Sequence, residues 1–497
     1  MRVRGTRGMA PSHATGFGAF CAKASNLTYF RYFYLSIFTD SSCFIHYMKI
    51  LKFLLKAIGV LLLLIVLLLA SLITTMDKTP YQEMDYYKVW KKEISTVVAD
   101  TSGVTGELKI GWAKVNITPA TPTPMAGYGN RRGKQYEAIH DSVYVRTMVI
   151  DNGFTQVAIV AADLLIIPPA VTKILQERLT KSQIPFDQVY FGATHSHNSV
   201  GGWGTGIAGL FFSGKYDQGT VDRLADAIFQ SIVKARQKLE PANISYSEAI
   251  DTTDIYNRLV GEEGKVDPEI RSLIVTRRNG EKAILSSYAA HSTVINSKNM
   301  RLSRDYPGVL VDSLENGRYN FAMYMAGAVG SMGPIEKGTD DFDEMKNQAY
   351  GVQTSILAGD TLKRVNERAN IQSITLPLPL REPSPRLTMG LVLRPWAFKK
   401  AFGEYPVFVK AVRIGNILMV GMPCDFSGEL VASLDSYAKT KGLNLMITSF
   451  NGGYTGYITN DQYFDRDLYE TKTMSWYGPY NGAYFQEVIK DIIDKLS

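Results

Sequence analysis

Cysteine is scarce in this sequence, with three residues in a chain of 497. Cys21 and Cys43 lie near the N-terminus, and Cys424 is the one cysteine in the body of the chain. Three cysteines cannot build a disulfide scaffold, and a chain of this length buries a sufficient apolar core without one. A lone cysteine is more often a small buried apolar residue than a nucleophile, which is our interpretation of Cys424.

The body of the chain also lacks net charge. The formal net charge is +7, but residues 1–47 carry +4 of it, and Lys49, Lys52 and Lys56 carry the other +3. The sequence from Asp77 onward is therefore neutral, without a basic stripe. Proteins that bind phosphate backbones cluster Lys and Arg on one face, so we expect no nucleic-acid partner. The oligomeric state is left open by the sequence.

One long uncharged run lies near the N-terminus. Ala57–Met76 contains twenty residues and is dominated by VLLLLIVLLLASL. At about 1.5 Å per residue, such a helix spans roughly the 30 Å of a bilayer core. Lysines precede the run and Asp77 follows it, so the positive-inside rule places the N-terminus inside. We predict a single-pass anchor over 48–76 with an extracytoplasmic body, and a cleaved signal peptide is the alternative.

The expected domain organisation follows from this anchor. Residues 1–47 resemble neither a signal nor a domain, so we expect a leader that arises from an over-called start codon before Met48. Residues 77–106 are polar and mixed, which predicts a stalk with some helix. Residues 107–497 are expected to form one catalytic domain. The fold class predicted is mixed α/β, with central sheets and flanking helices preceded by one transmembrane helix.

Local patterns in the body predict several strands and helices. Gln156–Ile167 is typical of a buried strand, Ala170–Lys181 of an amphipathic helix after Pro168-Pro169, and Gln188–Thr194 of a second strand, which gives a β-α-β unit. The remaining predictions are a helix over Thr220–Leu239, hairpins over Ser272–Ala290 (turning at Asn279-Gly280) and Val407–Met422 (turning at Gly415-Asn416), strands at Phe321–Ala326 and Leu443–Phe450, and mainly helix over Phe342–Glu367.

Polar or glycine-rich segments follow five of these predicted strands. In open α/β sheets, ligands bind beyond the carboxyl ends of strands, so we predict that the five segments converge on one site. They contain His195 with His197, His291, the run Gly327–Pro334, Asp425, and Tyr454 with Tyr457.

Histidine is rare as well, with six in the chain. Imidazole is the commonest neutral zinc ligand, and catalytic zinc usually takes three protein ligands and a water. In Thr194-His-Ser-His one ring can bind metal while its neighbour carries protons. An H-x-H pair alone is weak, and its alternative is a structural or surface role. We interpret His140-Asp141 as a buried hydrogen-bonded pair that supports the fold.

A series of motifs runs through the body: GWAKVNITP from Gly111, MAGYG from Met125, IHDSVYVR from Ile139, ATHSH from Ala193, YNR from Tyr256, AHST from Ala290, SRDYPG from Ser303, PCDF from Pro423 and YTGYIT from Tyr454. In order and spacing they resemble the neutral/alkaline non-lysosomal ceramidase family, over most of 108–490. The family is a zinc-dependent amidase that cleaves the N-acyl bond of ceramide to give sphingosine and a fatty acid.

The resemblance implies a role for each matching residue and Zn2+ as cofactor. Zinc polarises a carbonyl and lowers the pKa of bound water to about 7, while a fixed cation and a phenol can stabilise an oxyanion. Without the resemblance, Arg258 has the alternative of an ion pair with Asp254 or Glu262, and the tyrosines that of plain packing. The implied roles are zinc ligands at His195, His291, Asp425 and Tyr457, a proton carrier at His197, catalytic contacts from Arg258 and Tyr469, and substrate contacts at Tyr454 and Gly333.

The sequence departs from the family's pattern in three places. The family has a serine in Gly-Asp-x-Ser-Pro, whereas Gly330–Pro334 here reads GSMGP, so Gly333 stands at the serine position and Ser331 is the candidate catalytic replacement. Asp425 stands where the family has Glu, with Glu429 as the alternative ligand. The chain ends soon after Tyr484, so we expect the family's C-terminal β-sandwich to be missing.

The leading hypothesis is zinc-dependent hydrolysis of an amide bond in a ceramide-like N-acyl lipid at a membrane surface. One alternative is hydrolysis of a different amide or an ester. The other is a lipid-binding protein that lost catalysis with its serine. The apolar segment Gly206–Phe212 is expected either to touch the membrane surface or to pack in the core, and the sequence leaves the two open.

Overall fold

A computed structural model describes residues 41–98, 104–359 and 363–497. Two compact units are present, one up to Ser71 and one over Leu72–Ser497. The described part of the first unit is helix α1, Ser41–Leu72. Its Phe44–Leu72 portion is long and apolar enough to cross a membrane, as are many signal sequences. The predicted leader lies outside the described residues up to residue 40.

Nine helices follow α1 in the described part of the chain. Local chemistry favours three of the helix starts: Pro169–Lys181 and Pro395–Phe402 have proline in the first turn, and Asp217 caps Gln218–Arg236 with its side chain. The helices are α2 (Asp85–Ser95), α3 (Pro169–Lys181), α4 (Gly206–Ser213), α5 (Gln218–Arg236), α6 (Asp305–Gly317), α7 (Asp341–Ala358), α8 (Pro395–Phe402), α9 (Val431–Thr440) and α10 (Asn481–Leu496).

A large mixed sheet of nine strands forms the centre of the second unit, as far as the structure describes it. Its strands are β1 (Lys109–Asn116), β2 (Tyr144–Asp151), β3 (Gln156–Ala162), β4 (Val189–Ala193), β5 (Glu240–Ile250), β6 (Glu269–Arg277), β7 (Lys282–Tyr288), β8 (Phe321–Ala326) and β9 (Lys363–Asn366). They lie in the order β8-β7-β6-β5-β1-β2-β3-β4, with β9 also pairing on β5. The pairs β3/β4 and β7/β8 are parallel, and helices α3 and α6 lie in their crossovers.

A smaller sheet contains four strands among the described residues, in the order β10-β11-β12-β13. They are β10 (Ile371–Pro377), β11 (Phe408–Ile414), β12 (Ile417–Gly421) and β13 (Asn444–Thr448), and β12/β13 is the parallel pair. Six short ladders tie the loops together: Ile73–Thr75 with Leu391–Leu393, Gly106–Glu107 with Arg368–Ala369, Met125–Gly127 with Asn198–Val200, Ala138–Ile139 with Arg301–Leu302, Ile255–Asn257 with Met332–Pro334, and Asp425–Phe426 with Tyr457–Ile458.

The two sheets stack face to face with helices on both outer sides. In β12, Ile417 and Met419 pack between the sheets, while Leu418 and Val420 pack against α9 and α10. This alternation is the two-residue period of a strand buried on both faces. Helices α3 and α5 cover one half of the large sheet, and α6 and α7 cover the other. The result is a four-layer α/β/β/α arrangement, which confirms the predicted mixed α/β class.

The predicted stalk needs correction, because residues 77–98 pack against the body. Helix α2 buries Trp90 and Ile94, and Trp90 Nε1 donates to Asp491 of α10 at 2.8 Å. The polar average of this segment hides an amphipathic helix whose apolar side chains share one face. The predicted anchor also ends earlier than expected, at Leu72, because Ile73–Thr75 form a strand. Residues 99–103 lie outside the described residues.

Most of the predicted elements are present with shifted ends. The β-α-β unit is confirmed as β3-α3-β4, both hairpins form, and β8 has the predicted bounds. The predicted strand Gln156–Ile167 ends at Ala162, because the chain turns there and Asp163 accepts a hydrogen bond from Tyr144 N. The helix expected over Phe342–Glu367 ends at Ala358, and β9 follows, with 360–362 outside the described residues.

Candidate metal centre and its cavity

Parallel strand pairs bring the candidate residues to one edge of the sheets. His195 follows β4, His291 follows β7, and Asp425 follows β12, each just past the end of its strand. His195 has a positive φ of 63°, a conformation that costs a non-glycine residue about 1–2 kcal/mol. Its ring stacks on Phe450 with a centroid distance of 4.0 Å. The prediction that these segments converge is confirmed.

The Nε2 atoms of three histidines meet at one point. His195 Nε2 lies 2.9 Å from His291 Nε2 and 3.2 Å from His197 Nε2, and the third pair is 3.1 Å apart. Two ring nitrogens can share one proton, so three converging nitrogens cannot all satisfy one another. Nitrogen ligands at about 2.0–2.1 Å in a tetrahedral zinc site lie roughly 3.3 Å apart. The cluster is therefore compatible with a metal site.

Hydrogen bonds to the opposite ring nitrogens distinguish the three rings. His195 Nδ1 donates to Leu165 O at 2.5 Å, and His291 Nδ1 donates to Val329 O at 3.3 Å. Because a carbonyl only accepts, these bonds leave the lone pair on Nε2, as second-shell bonds do for metal-binding histidines. The Nδ1 atom of His197 is buried and has no hydrogen-bond partner among the described residues. His197 is therefore the ring whose tautomer is left free.

Asp425 supplies an unpaired buried oxygen beside this cluster. Its side chain is fully buried, and Oδ1 lies 3.4 Å from His195 Nε2 without a hydrogen-bond partner among the described residues. Oδ2 accepts a hydrogen bond from Tyr454 at 2.8 Å. A buried carboxylate oxygen without a partner is costly unless a cation is nearby, so the donor set fits a metal ion. Glu429, the alternative ligand, instead accepts from Lys265 N and Tyr463.

The electrostatics of the histidines also suit a cation. Burial lowers the pKa of His197 well below its ordinary value, and the neighbouring His195 ring and the positive charge of Arg258 act in the same direction. Burial followed by the charge of Arg258 likewise lowers the pKa of His291. Both rings are therefore neutral near pH 7, and neutral imidazole is the form that ligates metals.

Arg258 and two tyrosines stand on the other side of the cluster. Arg258 Nη2 donates to Tyr457 Oη at 3.0 Å, and Arg258 Nε lies 3.3 Å from the carboxylate of Glu470. Burial would lower the pKa of Arg258, but the interaction with the Tyr457 hydroxyl and the charges of Glu470 and Asp425 outweigh it and raise the pKa. The guanidinium thus stays charged. The ring of Tyr469 meets that of Tyr457 edge-on at 5.8 Å.

Glu470 is the residue that sequence reasoning missed: Arg258 does pair with a carboxylate, but the partner is Glu470 and not Asp254 or Glu262. Asp254 pairs with Lys337 instead. Glu470 lies in the π-turn Tyr469–Thr473, beside a tyrosine that the motifs had singled out, so the adjacent carboxylate was the available signal. His140 is exposed and stacks on Phe342, which corrects its interpretation as part of a buried pair.

An apolar cavity of about 360 Å³ opens beside the histidines, a size that suits a small-molecule ligand. His195 and His197 lie among its lining together with Tyr454, Tyr457 and Tyr469. Helices α4 and α8, the segment before α10 and the loops around residues 165–170 and 378–383 provide much of the remaining wall. Its aromatic lining consists of Trp203, Phe212, Phe398, Phe402, Tyr405, Trp476 and Tyr477. Helix α8 was not predicted from the sequence, although Phe398 and Phe402 stand at the four-residue spacing of one helix face.

Ser331 and Gly333 lie apart from this wall. Among the described residues that line the cavity, neither is present. Ser331 is fully buried, its hydroxyl pairs with that of Ser427 at 2.5 Å, and its carbonyl accepts from Arg258 N at 2.9 Å. Gly333 pairs across from Tyr256, where an added Cβ would lie 2.7 Å from the tyrosine ring. Their catalytic and substrate-binding roles stay predictions.

Fold and site together define a mixed α/β protein with a candidate metal centre at the base of an apolar cavity. Residues 108–329 match the family described as neutral/alkaline non-lysosomal ceramidase, N-terminal. The predicted resemblance to this family is therefore confirmed over these residues.

One curated relative is the neutral ceramidase of Pseudomonas aeruginosa, which is 28% identical over 218 residues, or 40% of this chain. The match covers 32% of that protein, about a third of its length. The crystal structure of the Pseudomonas aeruginosa neutral ceramidase superposes with a TM-score of 0.69 at 20% identity and covers 78% of this chain and 75% of that one. A structure described as ceramidase complexed with C2 has the same TM-score and coverage at 19% identity. At these identities the superpositions show a shared fold.

Proposed function

We propose that this protein hydrolyses the amide bond of a ceramide-like N-acyl lipid, with zinc as the resident metal. The observation that carries the proposal is the unpaired Oδ1 atom of Asp425 beside three convergent imidazoles at the base of an apolar cavity. The family and the name of the curated relative support the choice of an N-acyl lipid. An apolar wall rich in aromatic side chains suits an acyl chain, because the chain would bury its apolar surface there.

His195, His291, Asp425 and Tyr457 would hold the zinc ion. When bound there, zinc would supply a Lewis acid for the amide carbonyl and would lower the pKa of a water molecule. Asp425 keeps one oxygen on Tyr454, which fixes the orientation of the other. The shorter Asp in place of Glu is accommodated because Asp425–Phe426 pairs directly with Tyr457–Ile458 and so brings both backbones close together.

His197 is the proposed proton carrier. Its neutral ring can accept a proton from the attacking water and return it to the departing amine, which a hydrolysed amide requires. Arg258 and Tyr469 face the developing negative charge on the carbonyl oxygen, where fixed donors are worth several kcal/mol. Glu470 and Tyr457 hold the guanidinium of Arg258 in place. In this scheme neither Ser331 nor Gly333 provides a nucleophile.

We further propose that α1 anchors the protein in a membrane with the N-terminus inside and the body in the periplasmic or extracellular space. The length and apolar composition of Phe44–Leu72 and the preceding lysines support this topology. A tethered enzyme meets a lipid substrate in two dimensions, which raises its effective concentration.

The test uses the full chain purified in detergent. Bound metal is measured by mass spectrometry, and turnover is assayed on a fluorescent N-acyl sphingosine, on N-acyl amino acids and on the matching esters. We expect about one zinc per chain and hydrolysis of the N-acyl sphingosine, and His195→Ala should abolish both, while His140→Ala should preserve them. Turnover of other amides or esters alone would move the protein to a different hydrolase. Bound zinc with no turnover would favour a lipid-binding role.

A further inference from the structure

The outer face of helix α4 is apolar and exposed. Ile207, Leu210 and Phe211 are 64%, 49% and 45% exposed, and they share one side of the helix at the i, i+3, i+4 spacing. The opposite side carries Ala208, Gly209 and Phe212, which line the cavity. The same short helix is therefore both a wall of the cavity and an apolar part of the protein surface. The sequence had left open whether this segment lies in the core or on the surface. In the structure one side of the helix faces the cavity and the other is exposed.

Helix α8 and the loop before it extend this apolar surface. Helices α4 and α8 touch, since a Cβ on Gly206 would lie 2.7 Å from Ala401 O, and Thr205 hydrogen-bonds Tyr405. Neither 206–213 nor 387–402 contains an acidic residue, and Lys399 and Lys400 lie in α8. The exposed apolar side chains of this second segment are Leu387, Met389, Leu391 and Trp396, which are 40%, 70%, 43% and 51% exposed.

Residues 72–76, at the start of the second unit, pair with this same segment. Leu72 O accepts from Arg394 N at 2.7 Å, Ile73–Thr75 pair with Leu391–Leu393, and Met76 N donates to Gly390 O at 3.0 Å. Arg394 immediately precedes α8. A chain that leaves a bilayer at Leu72 thus passes directly into hydrogen bonds with the strand that leads into α8. The segment 387–396 is therefore hydrogen-bonded to the residues that directly follow the apolar span.

We infer that α4, α8 and residues 387–391 form a membrane-docking surface that sets the mouth of the cavity against the lipid bilayer. The partner of this surface is the lipid bilayer, because residues 73–75, which directly follow the apolar span, pair with residues 391–393 at this patch. Exposed apolar side chains enter the headgroup region, and the exposed Lys400 suits anionic lipid phosphates, whereas Lys399 pairs with Glu382 and Glu404. An N-acyl lipid could then pass from the membrane into the cavity without crossing water. This inference rests on the proposed function for its substrate and on α1 as an anchor.

The test exploits tryptophan as an internal probe. The chain has five tryptophans, and Trp90, Trp112, Trp203 and Trp476 are buried, whereas Trp396 lies in the proposed surface. The full chain is reconstituted in phosphatidylcholine vesicles, with and without phosphatidylglycerol, whose acyl chains carry bromine as a quencher. The emission of Trp396 is obtained as the difference between the unchanged protein and Trp396→Phe. We expect brominated lipid to quench this emission. Aqueous acrylamide should quench that emission weakly in vesicles and strongly in detergent.

Aspartate substitutions inside the patch, on α4, are compared with one at an exposed apolar residue outside it. Phe211→Asp and Ile207→Asp should reduce the quenching of Trp396 by brominated lipid while the chain still floats with the vesicles. Phe154→Asp changes an equally apolar side chain, 72% exposed, outside the patch, and should leave quenching unchanged. These measurements need no turnover, so they succeed or fail separately from the proposed hydrolysis.

Three results would overturn the inference. The first is Trp396 emission that brominated lipid leaves unchanged and acrylamide quenches fully in vesicles. The second is protection of Trp396 that rises with the ratio of protein to lipid without quenching by bromine, which would assign the patch to contact between copies of the chain. The third is a chain that fails to float with the vesicles at all, because then no bilayer reaches the patch.

Discussion

Asp425 holds its Oδ1 atom 3.4 Å from His195 Nε2, while Tyr454 binds the other carboxylate oxygen at 2.8 Å. The residue is fully buried, and the Oδ1 atom has no hydrogen-bond partner in the described part of the chain. A protein tolerates such an oxygen where a cation balances it. This pair of residues therefore links the fold to the metal chemistry proposed for the site.

Asp425→Asn removes the charge and keeps the shape of the side chain. Loss of a residue that only hydrogen-bonds a metal ligand typically lowers metal affinity about 10–100-fold. Because Asp425 is proposed to bind the metal directly, we expect a fall of at least that size. Chelator competition on the full chain measures the change. Glu429→Gln is the matched control and should bind metal as the unchanged protein does. If Glu429→Gln lost the metal and Asp425→Asn kept it, the ligand assignment would be wrong.

Arg258→Met should lower kcat about 10²–10³-fold, because it removes a fixed donor from the developing oxyanion. Bound metal should be unaffected. Glu470→Gln should have a smaller effect in the same direction, since it loosens the guanidinium without removing it. Arg466→Met, at an exposed ion pair with Glu263, serves as the control. A rise in KM with kcat unchanged would assign Arg258 to ground-state binding only.

Ser331→Ala should keep most of the turnover. The Ser331 hydroxyl is buried against that of Ser427, and neither residue lines the cavity. Ser427→Ala, its matched partner, should behave alike. Removal of a true nucleophile costs about 10⁶-fold in kcat. A loss of that order in Ser331→Ala alone, with the metal still bound, would restore the serine to the catalytic role that the sequence suggested.

Trp476→Ala should weaken the binding of long acyl chains selectively. The indole packs against Phe398 and Phe402 in the cavity wall, with centroid distances of 5.2 and 5.1 Å. Each buried methylene contributes about 0.8 kcal/mol, so the rise in KM should grow with chain length and vanish for an acetyl group. A chain-length series of N-acyl substrates measures this. Equal losses at every length would place the acyl chain elsewhere.

Lys410 predicts a pH dependence of stability. Its ammonium is buried, donates to Phe186 O at 2.9 Å and Thr375 Oγ1 at 2.7 Å, and faces three phenylalanine rings, with Asp187 as the charge that favours its protonation. Burial lowers the pKa of Lys410 to about 7. An unfolded lysine titrates near 10.4, so between about pH 7 and 10 the unfolded state binds more protons and the free energy of unfolding rises with pH.

Denaturant unfolding of the full chain in detergent at a series of pH values measures this rise. Below about pH 7 the cost of the buried charge is fully present, and it disappears as the pH approaches 10. Lys410→Gln should flatten the profile, whereas Lys92→Gln at an exposed position should not. A profile of the unchanged protein as flat as that of Lys410→Gln would contradict the pKa shift.

Sequence alone determined the elements and residues whose signals are local. Asn279-Gly280 and Gly415-Asn416 predicted two hairpins because those turn types require residues tolerant of positive φ. The histidines and Asp425 were found because they follow apolar strands whose parallel pairing brings their carboxyl ends together. The family followed from motifs spread along the chain, which a short local coincidence would not reproduce.

The tertiary structure decided what depends on contacts between distant segments. The packing of Trp90 on Asp491 turned a predicted stalk into part of the body, and Glu470 became the partner of Arg258 across more than two hundred residues. Composition cannot indicate either contact, because a side chain's partner is set by how the layers stack. For the same physical reason, only the folded chain could divide α4 between the cavity and the surface: both faces are apolar, and burial is a property of what lies opposite.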